Sequence, residues 1–271
     1  MTTVSAFAVH DRSVAESFVQ ARLAARAVDG YPGEIPRTMD AAYAIQDMAI
    51  SLYPGRIAGW KVGGVPTALQ AGLGAHRLAG PIFDRNVWPD APEGVSIPAI
   101  RGGFTAVEAE FVARIGRDVD PAKLDWTIEE ASAQIDQVFL GVEIAGSPLS
   151  QINDLGSAVV ASDFGNNAGL VLGQPLANWR ERLDEVQAET IIDGRSVGIG
   201  GSRSLEGGAL ESVRFLLEHC ARRGRPLTAG LLVSTGAVTG VHRVEAGAHA
   251  VCDFRGVGQI RCTVEEAVPK T

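Results

Sequence analysis

A chain of 271 residues, 46% hydrophobic and 21% charged, can bury a sizeable core, and it shows no collagen-like, heptad or solenoid repeat. Its 24 basic and 32 acidic residues leave a formal charge of −8, which argues against a nucleic-acid-binding surface or attraction to anionic lipid. The apolar runs fall far short of a membrane span, and three cysteines without a CxxC pair argue against structural disulfides and a zinc knuckle.

The opening "MTTVSAFAVHDRSVAESF" lacks a basic stretch followed by an apolar one, so no secretory leader is expected and the cytoplasm is the default location. Residues 11–29 have helical spacing, with Val14, Phe18, Leu23 and Ala27 on one side. "GYPGEIPR" breaks that helix, Thr38 caps a second one over "MDAAYAIQDMAISLY", and Pro54-Gly55 ends it. A strand "RIAGWKVGG", a short helix "TALQAGLG" and a loop-strand "LAGPIFDRNVW" follow. Residues 103–115 read as a strand because apolar residues alternate from Val107 to Ile115.

"DWTIEEASAQIDQV" carries a capping box, Thr127 with Glu130, and leads into an apolar strand "VFLGVEIAG". "SAVVASDFGNNAGLVLG" ends in another short strand, and Asp193-Gly194 between "TII" and "SVGIG" predicts a hairpin. A helix is expected over about 206–223, then strand after strand to the end. Cys220 falls on that helix and Cys252 and Cys262 on strands, where cysteine acts as a small hydrophobe. Helices first, strands later and no βαβ alternation predict an α+β fold. Residues 1–56 form a helical cap region on a mixed, barrel-like core over 57–271, one folding unit.

The chemistry concentrates in a few residues. A period of two puts Glu108 and Glu110 on one strand face, and a third acid, Glu143, sits in another apolar strand. Three carboxylates in apolar surroundings, with few basic residues nearby in sequence, suit an oxygen-rich Mg²⁺ or Mn²⁺ site. The plain alternatives are a solvated strand face for the pair and an arginine partner for Glu143. Lys61, between Trp60 and glycines, is either an edge-strand charge or a substrate clamp and proton donor. "STGAVTG" offers hydroxyls and glycine N–H groups to a carboxylate. The five histidines show no HExxH spacing, "GIGGSRS" has neither a P-loop lysine nor the GxGxxG order, and no GxSxG elbow occurs.

Together, "AYAIQ" at 42–46, "GWKVG" at 59–63, "GPIFD" at 80–84, "VEAEF" at 107–111, "GVEIAGS" at 141–147, "NNAGLVLG" at 166–173 and "STGAVTG" at 234–240 resemble one known group. It is the 2-keto-4-pentenoate hydratase and 4-oxalocrotonate decarboxylase group of the fumarylacetoacetate hydrolase superfamily. The resemblance implies a β-roll core and a divalent metal on Glu108, Glu110 and Glu143. It also implies Lys61 and Asp84 in proton transfer or water ordering, and Gly63, Asn166 and Thr235 against a small anionic 2-keto acid.

It implies as well a homo-oligomer able to associate with a related decarboxylase or hydratase. Three departures alter the surroundings rather than the acids. Gly64-Val65-Pro66 stand where hydratases usually carry "LTS", Gly146 and Pro148 replace an aspartate and an arginine, and Asn166 replaces a serine. Hydration of a 2-hydroxypenta-2,4-dienoate-like acid is the first expectation. Decarboxylation of a vinylogous keto acid, C–C hydrolysis of an acylpyruvate, and a silent partner subunit are the alternatives.

Overall fold

The computed structural model describes residues 6–270; residues 1–5, part of the segment read as lacking a leader, lie outside them. Two helices, α1 (Ala6–Leu23) and α2 (Met39–Leu52), precede β1 (Ile57–Gly64), α3 (Thr67–Leu73), β2 (Arg77–Phe83), β3 (Val87–Pro89) and β4 (Val95–Ala99). The long strand β5 (Phe104–Ile115) is followed by α4 (Ile128–Ser132), β6 (Ile135–Ser147), α5 (Ser157–Ser162), β7 (Asn167–Pro175) and α6 (Trp179–Arg182). The hairpin β8 (Gln187–Ile192) and β9 (Arg195–Gly201), helix α7 (Gly208–Arg222), β10 (Leu232–Ser234), β11 (His242–Arg243), β12 (His249–Phe254) and β13 (Gly258–Glu266) complete the chain. No described helix is long and apolar enough to cross a membrane.

The larger sheet runs β2-β1-β10-β5-β6-β7-β3, with β11 also paired to β5. Its two ends, β2 and β3, are consecutive in the chain and joined only by a 3₁₀ turn, Asp84–Asn86. That short link brings the two edges together, so the sheet curls on itself. The second sheet, β4-β13-β12-β8-β9, packs against it. The core between them takes Val107, Ala109 and Phe111 of β5, Leu140, Val142 and Ile144 of β6, and Ala250, Cys252, Phe254, Ile260 and Cys262 of the second sheet, with α7 covering one side. The α+β curled-sheet architecture is therefore as expected, and the cysteines are buried hydrophobes.

A separate core fixes α1 and α2 to the barrel, with Val14, Phe18, Ile45 and Tyr53 packed on Phe83, Phe104, Leu149 and Phe164. Thr38 caps α2 by accepting from the Ala41 N–H, and the Thr127–Glu130 capping box forms. Asp193 (φ 49°) and Gly194 (φ 78°) make the hairpin turn, both in the left-handed region that a type I′ turn needs.

Two segments differ from the sequence reading, and two further elements have no counterpart in it. Helix α1 stops at Leu23 rather than 29, because Val28 leaves to bridge Leu149. Helix α4 is only five residues, since β6 begins at Ile135 to pair with Ile115. β4 pairs in parallel with β13, far away in sequence, and residues 157–162 form α5.

Candidate metal centre

The curled sheet has an apolar face toward the second sheet and an opposite face that holds the charge. Period two on β5 sends Val107, Ala109 and Phe111 into the core and Glu108, Glu110 and Val112 the other way. Antiparallel register sets Glu143 of β6 directly across from Glu108. Parallel pairing of β1 with β10 sets Lys61 beside Ser234. Carboxylate oxygens of Glu108, Glu110 and Glu143 all lie within 4.8 Å of one another, at residue exposures of 5%, 0% and 0%. The solvated-face alternative is excluded by that burial.

The partners are few and specific. Lys61 Nζ lies 3.2 Å from Glu143 Oε2. Ser234 Oγ donates to Glu110 Oε2 at 2.6 Å and the Gly236 N–H to the same oxygen at 2.9 Å. Asn167 Nδ2 donates to Glu143 Oε1 at 2.9 Å. Glu110 Oε1 is buried with no hydrogen-bond partner. No arginine pairs with Glu143 among the described residues; its cation is Lys61.

Three carboxylates against one ammonium leave two negative charges uncompensated if all ionise. Burial, then Glu143, pushes Glu108 up to about 8, with Lys61 pulling the other way. Burial, Glu143 and Glu108 hold Glu110 well above the ordinary carboxylate range. Burial alone would depress the Lys61 ammonium, but Glu143, Glu108 and Glu110 outweigh it and hold Lys61 above its ordinary value. The centre is short of positive charge and of donors at Glu110 Oε1. An all-oxygen donor set with that deficit fits a hard divalent cation.

A cavity of about 480 Å³ opens onto the cluster, lined at its inner end by Lys61, Gly63, Glu108, Asn166, Thr235 and Gly236. Asn166 Oδ1 is buried without a partner. Its residue (φ 65°) ends a run with Phe164 (φ 56°) and Gly165 (φ 62°), three left-handed residues in succession. The turn is pressed onto β2 where Gly80 allows it: a Cβ there would meet Phe164 O at 1.9 Å. It is held from behind by Asp163, which accepts from Arg22 Nε at 2.7 Å and from Ser147 Oγ at 2.6 Å. Thr235 Oγ1 already donates to Phe111 O at 2.8 Å, so it has only lone pairs to offer the cavity.

Asp84 is not brought to the cluster. It does not line the cavity; it sits in the seam turn between β2 and β3, accepting from the Arg56 N–H at 3.1 Å, Arg56 Nε at 3.2 Å and the Arg85 N–H at 2.8 Å. Arg56's N–H and side chain hold its carboxyl below the usual range, as befits a surface cap. The end of a strand in "GPIFD" gave no way to see that the sheet closes there. Ser234 and Asn167, which orient the carboxylates, stand one residue from the expected Thr235 and Asn166, in the same two motifs.

The family model described as Fumarylacetoacetate (FAA) hydrolase C-terminal matches residues 86–265. The chain is 30% identical over 232 residues, 84% of each chain, to 2-keto-4-pentenoate hydratase of Paraburkholderia xenovorans (strain LB400). Among solved structures, 4-oxalocrotonate decarboxylase from Pseudomonas putida G7, complexed with magnesium and adipate, superposes with a TM-score of 0.80 over 97% of this chain and 100% of that one, at 21% identity. Fumarylpyruvate hydrolase from Pseudomonas aeruginosa, in complex with Mn²⁺ and pyruvate, gives 0.57 at 19% identity over 79% of this chain and 91% of that one.

Proposed function

The chain belongs to the fumarylacetoacetate hydrolase family, and from that premise we propose that it is a divalent-metal-dependent hydro-lyase adding water to a 2-hydroxypenta-2,4-dienoate-like 2-keto acid. The observation that carries the reading is the buried cluster Glu108, Glu110 and Glu143, with its orphaned Glu110 Oε1 and a single lysine, at the inner end of a cavity. Named relatives support hydration first, because the 30% identical one is a 2-keto-4-pentenoate hydratase.

In this reading the three glutamates hold Mg²⁺ or Mn²⁺, which when bound supplies Lewis-acid stabilisation of negative charge on the keto oxygen. Glu110 is kept in one rotamer by Ser234 and the Gly236 N–H, and Glu143 by Asn167. Lys61 Nζ keeps its proton beside the acids and presents N–H to the substrate or to the carbon that must be protonated. Gly63 lines the cavity beside Lys61, where a Cβ would lie 3.8 Å from Nζ, in ordinary contact. Asn166 Oδ1 accepts from the attacking water or a substrate hydroxyl. Thr235 offers an acceptor opposite.

Purified protein with Mg²⁺ and 2-hydroxypenta-2,4-dienoate tests the reading. Loss of dienol absorbance with a 4-hydroxy-2-keto acid product is the expected result. CO₂ release from a vinylogous keto acid instead would make the chain a decarboxylase, and two acid fragments from an acylpyruvate a hydrolase. No metal-dependent turnover of any of them would overturn the enzyme reading.

A further inference from the structure

The outer half of the same cavity bears on what the substrate's far end is, an inference that rests on the keto-acid reading of the inner half. We propose that the site takes 2-keto acids with an uncharged, apolar tail longer than a vinyl group, and rejects a second carboxylate at that end.

The cavity changes character along its length. Its inner end is charged and buried at Lys61 and Glu108, whereas its lining also includes Leu69 and Val241, which are 40% and 53% exposed. These are two of the few large apolar side chains exposed among the described residues, and both line this one opening. Val160, Leu205 and Leu78 continue the apolar lining. Isolated exposed hydrophobes need no explanation, but two in one lining, continued by Val160, Leu205 and Leu78, form a surface that an apolar group covers. The volume of about 480 Å³ lies in the range that encloses whole drug-sized ligands, more than a five-carbon acid fills.

The charges point the same way. Among the described lining residues the basic side chains are Lys61, Arg77 and His76. Lys61 lies at the inner end beside Glu143, out of reach of the substrate's far end. Arg77 Nη2 donates to Glu206 O, and its Nη1 lies 3.7 Å from Glu211. His76 lies 4.0 Å from the Glu206 carboxylate. A second carboxylate entering here would lose water without gaining a free cation and would meet Glu206.

Calorimetric titration of the Mg²⁺-loaded protein with saturated 2-keto acids reads this without turnover. Affinity is expected to rise from 2-oxobutanoate through 2-oxohexanoate to 2-oxooctanoate by roughly two- to fourfold per methylene. 2-Oxoadipate should bind at least about tenfold more weakly than 2-oxohexanoate, its equal in carbon number. Leu69→Asp and Val241→Asp, both on the surface, should each weaken 2-oxooctanoate by about tenfold. A flat chain-length series, or 2-oxoadipate binding as tightly as 2-oxohexanoate and weakening in Arg77→Gln, would overturn the tail assignment while leaving the keto-acid reading in place. If none of these acids, 2-oxobutanoate included, binds in a Mg²⁺-dependent way, the keto-acid reading itself falls and takes the assignment with it.

Discussion

Among the described residues two buried ionic clusters are built on opposite principles. Arg22 and Asp163, with side chains 7% and 1% exposed, form a balanced pair. The guanidinium also donates to Asn167 O at 2.9 Å and Gly146 O at 2.8 Å, Ser147 Oγ completes Asp163, and the Arg22 cation lies over the Phe164 ring. Glu108, Glu110, Glu143 and Lys61 are equally buried but carry an excess of negative charge and an unpartnered oxygen. A fold that satisfies one buried charge so fully has no general shortage of donors. The deficit at the second cluster is local, and it faces a cavity. The first cluster holds α1 and the 163–167 turn to the barrel; the second leaves negative charge unbalanced at the inner end of the cavity.

Removing one partner from each cluster should therefore have effects of opposite sign on the metal-free protein. The largest loss of stability is expected for Arg22→Ala, which strands Asp163 in the interior at a cost of about 3–5 kcal/mol, read by urea unfolding. Glu110→Gln replaces a carboxyl whose anion burial, Glu143 and Glu108 disfavour, so the metal-free protein should gain thermal stability. Its divalent-ion affinity should fall by more than the roughly 10–100-fold typical of losing an outer partner. Lower stability in the metal-free Glu110→Gln protein would break the contrast.

The pH dependence sharpens it. Glu108 has a folded-state value near 8, raised above an unfolded value of 4.5 mainly by burial. Its contribution to stability is therefore full below the unfolded value and is lost as pH rises through about 8. The melting temperature of the metal-free protein should fall across that window, and saturating Mg²⁺ should flatten the fall. A smaller effect is expected for Ser234→Ala, a roughly 10–100-fold weaker affinity with little change of metal-free stability. Smallest of all, Asp84→Asn should leave divalent-ion affinity within about twofold, as for a surface change away from the site.

The sequence made the second cluster legible and the first invisible, for a physical reason. Glu108 and Glu110 declare themselves through the period of two, and Glu143 through its solitude in an apolar strand; each signal is local. Hairpin and caps were readable for the same reason, since Asp193-Gly194 and Thr127 with Glu130 act within a few residues. Arg22 and Asp163 are polar residues in ordinary polar surroundings until tertiary structure brings α1 onto the 163–167 turn. The closure of the sheet through Asp84–Asn86 is likewise a matter of strand order, which no local pattern encodes. That is why nothing local shows that Asp84, six residues past Leu78 of the cavity lining, sits in the seam turn instead. Ser234 reaches Glu110 only because β10 joins β1 and β5 from far along the chain.

Whether the glutamate cluster binds a divalent cation is read by calorimetric titration of Mn²⁺ into the metal-free protein. One ion per chain, released by a chelator and lost in Glu110→Gln, is the predicted result. Absence of saturable binding, or binding that Glu110→Gln leaves unchanged, would contradict it.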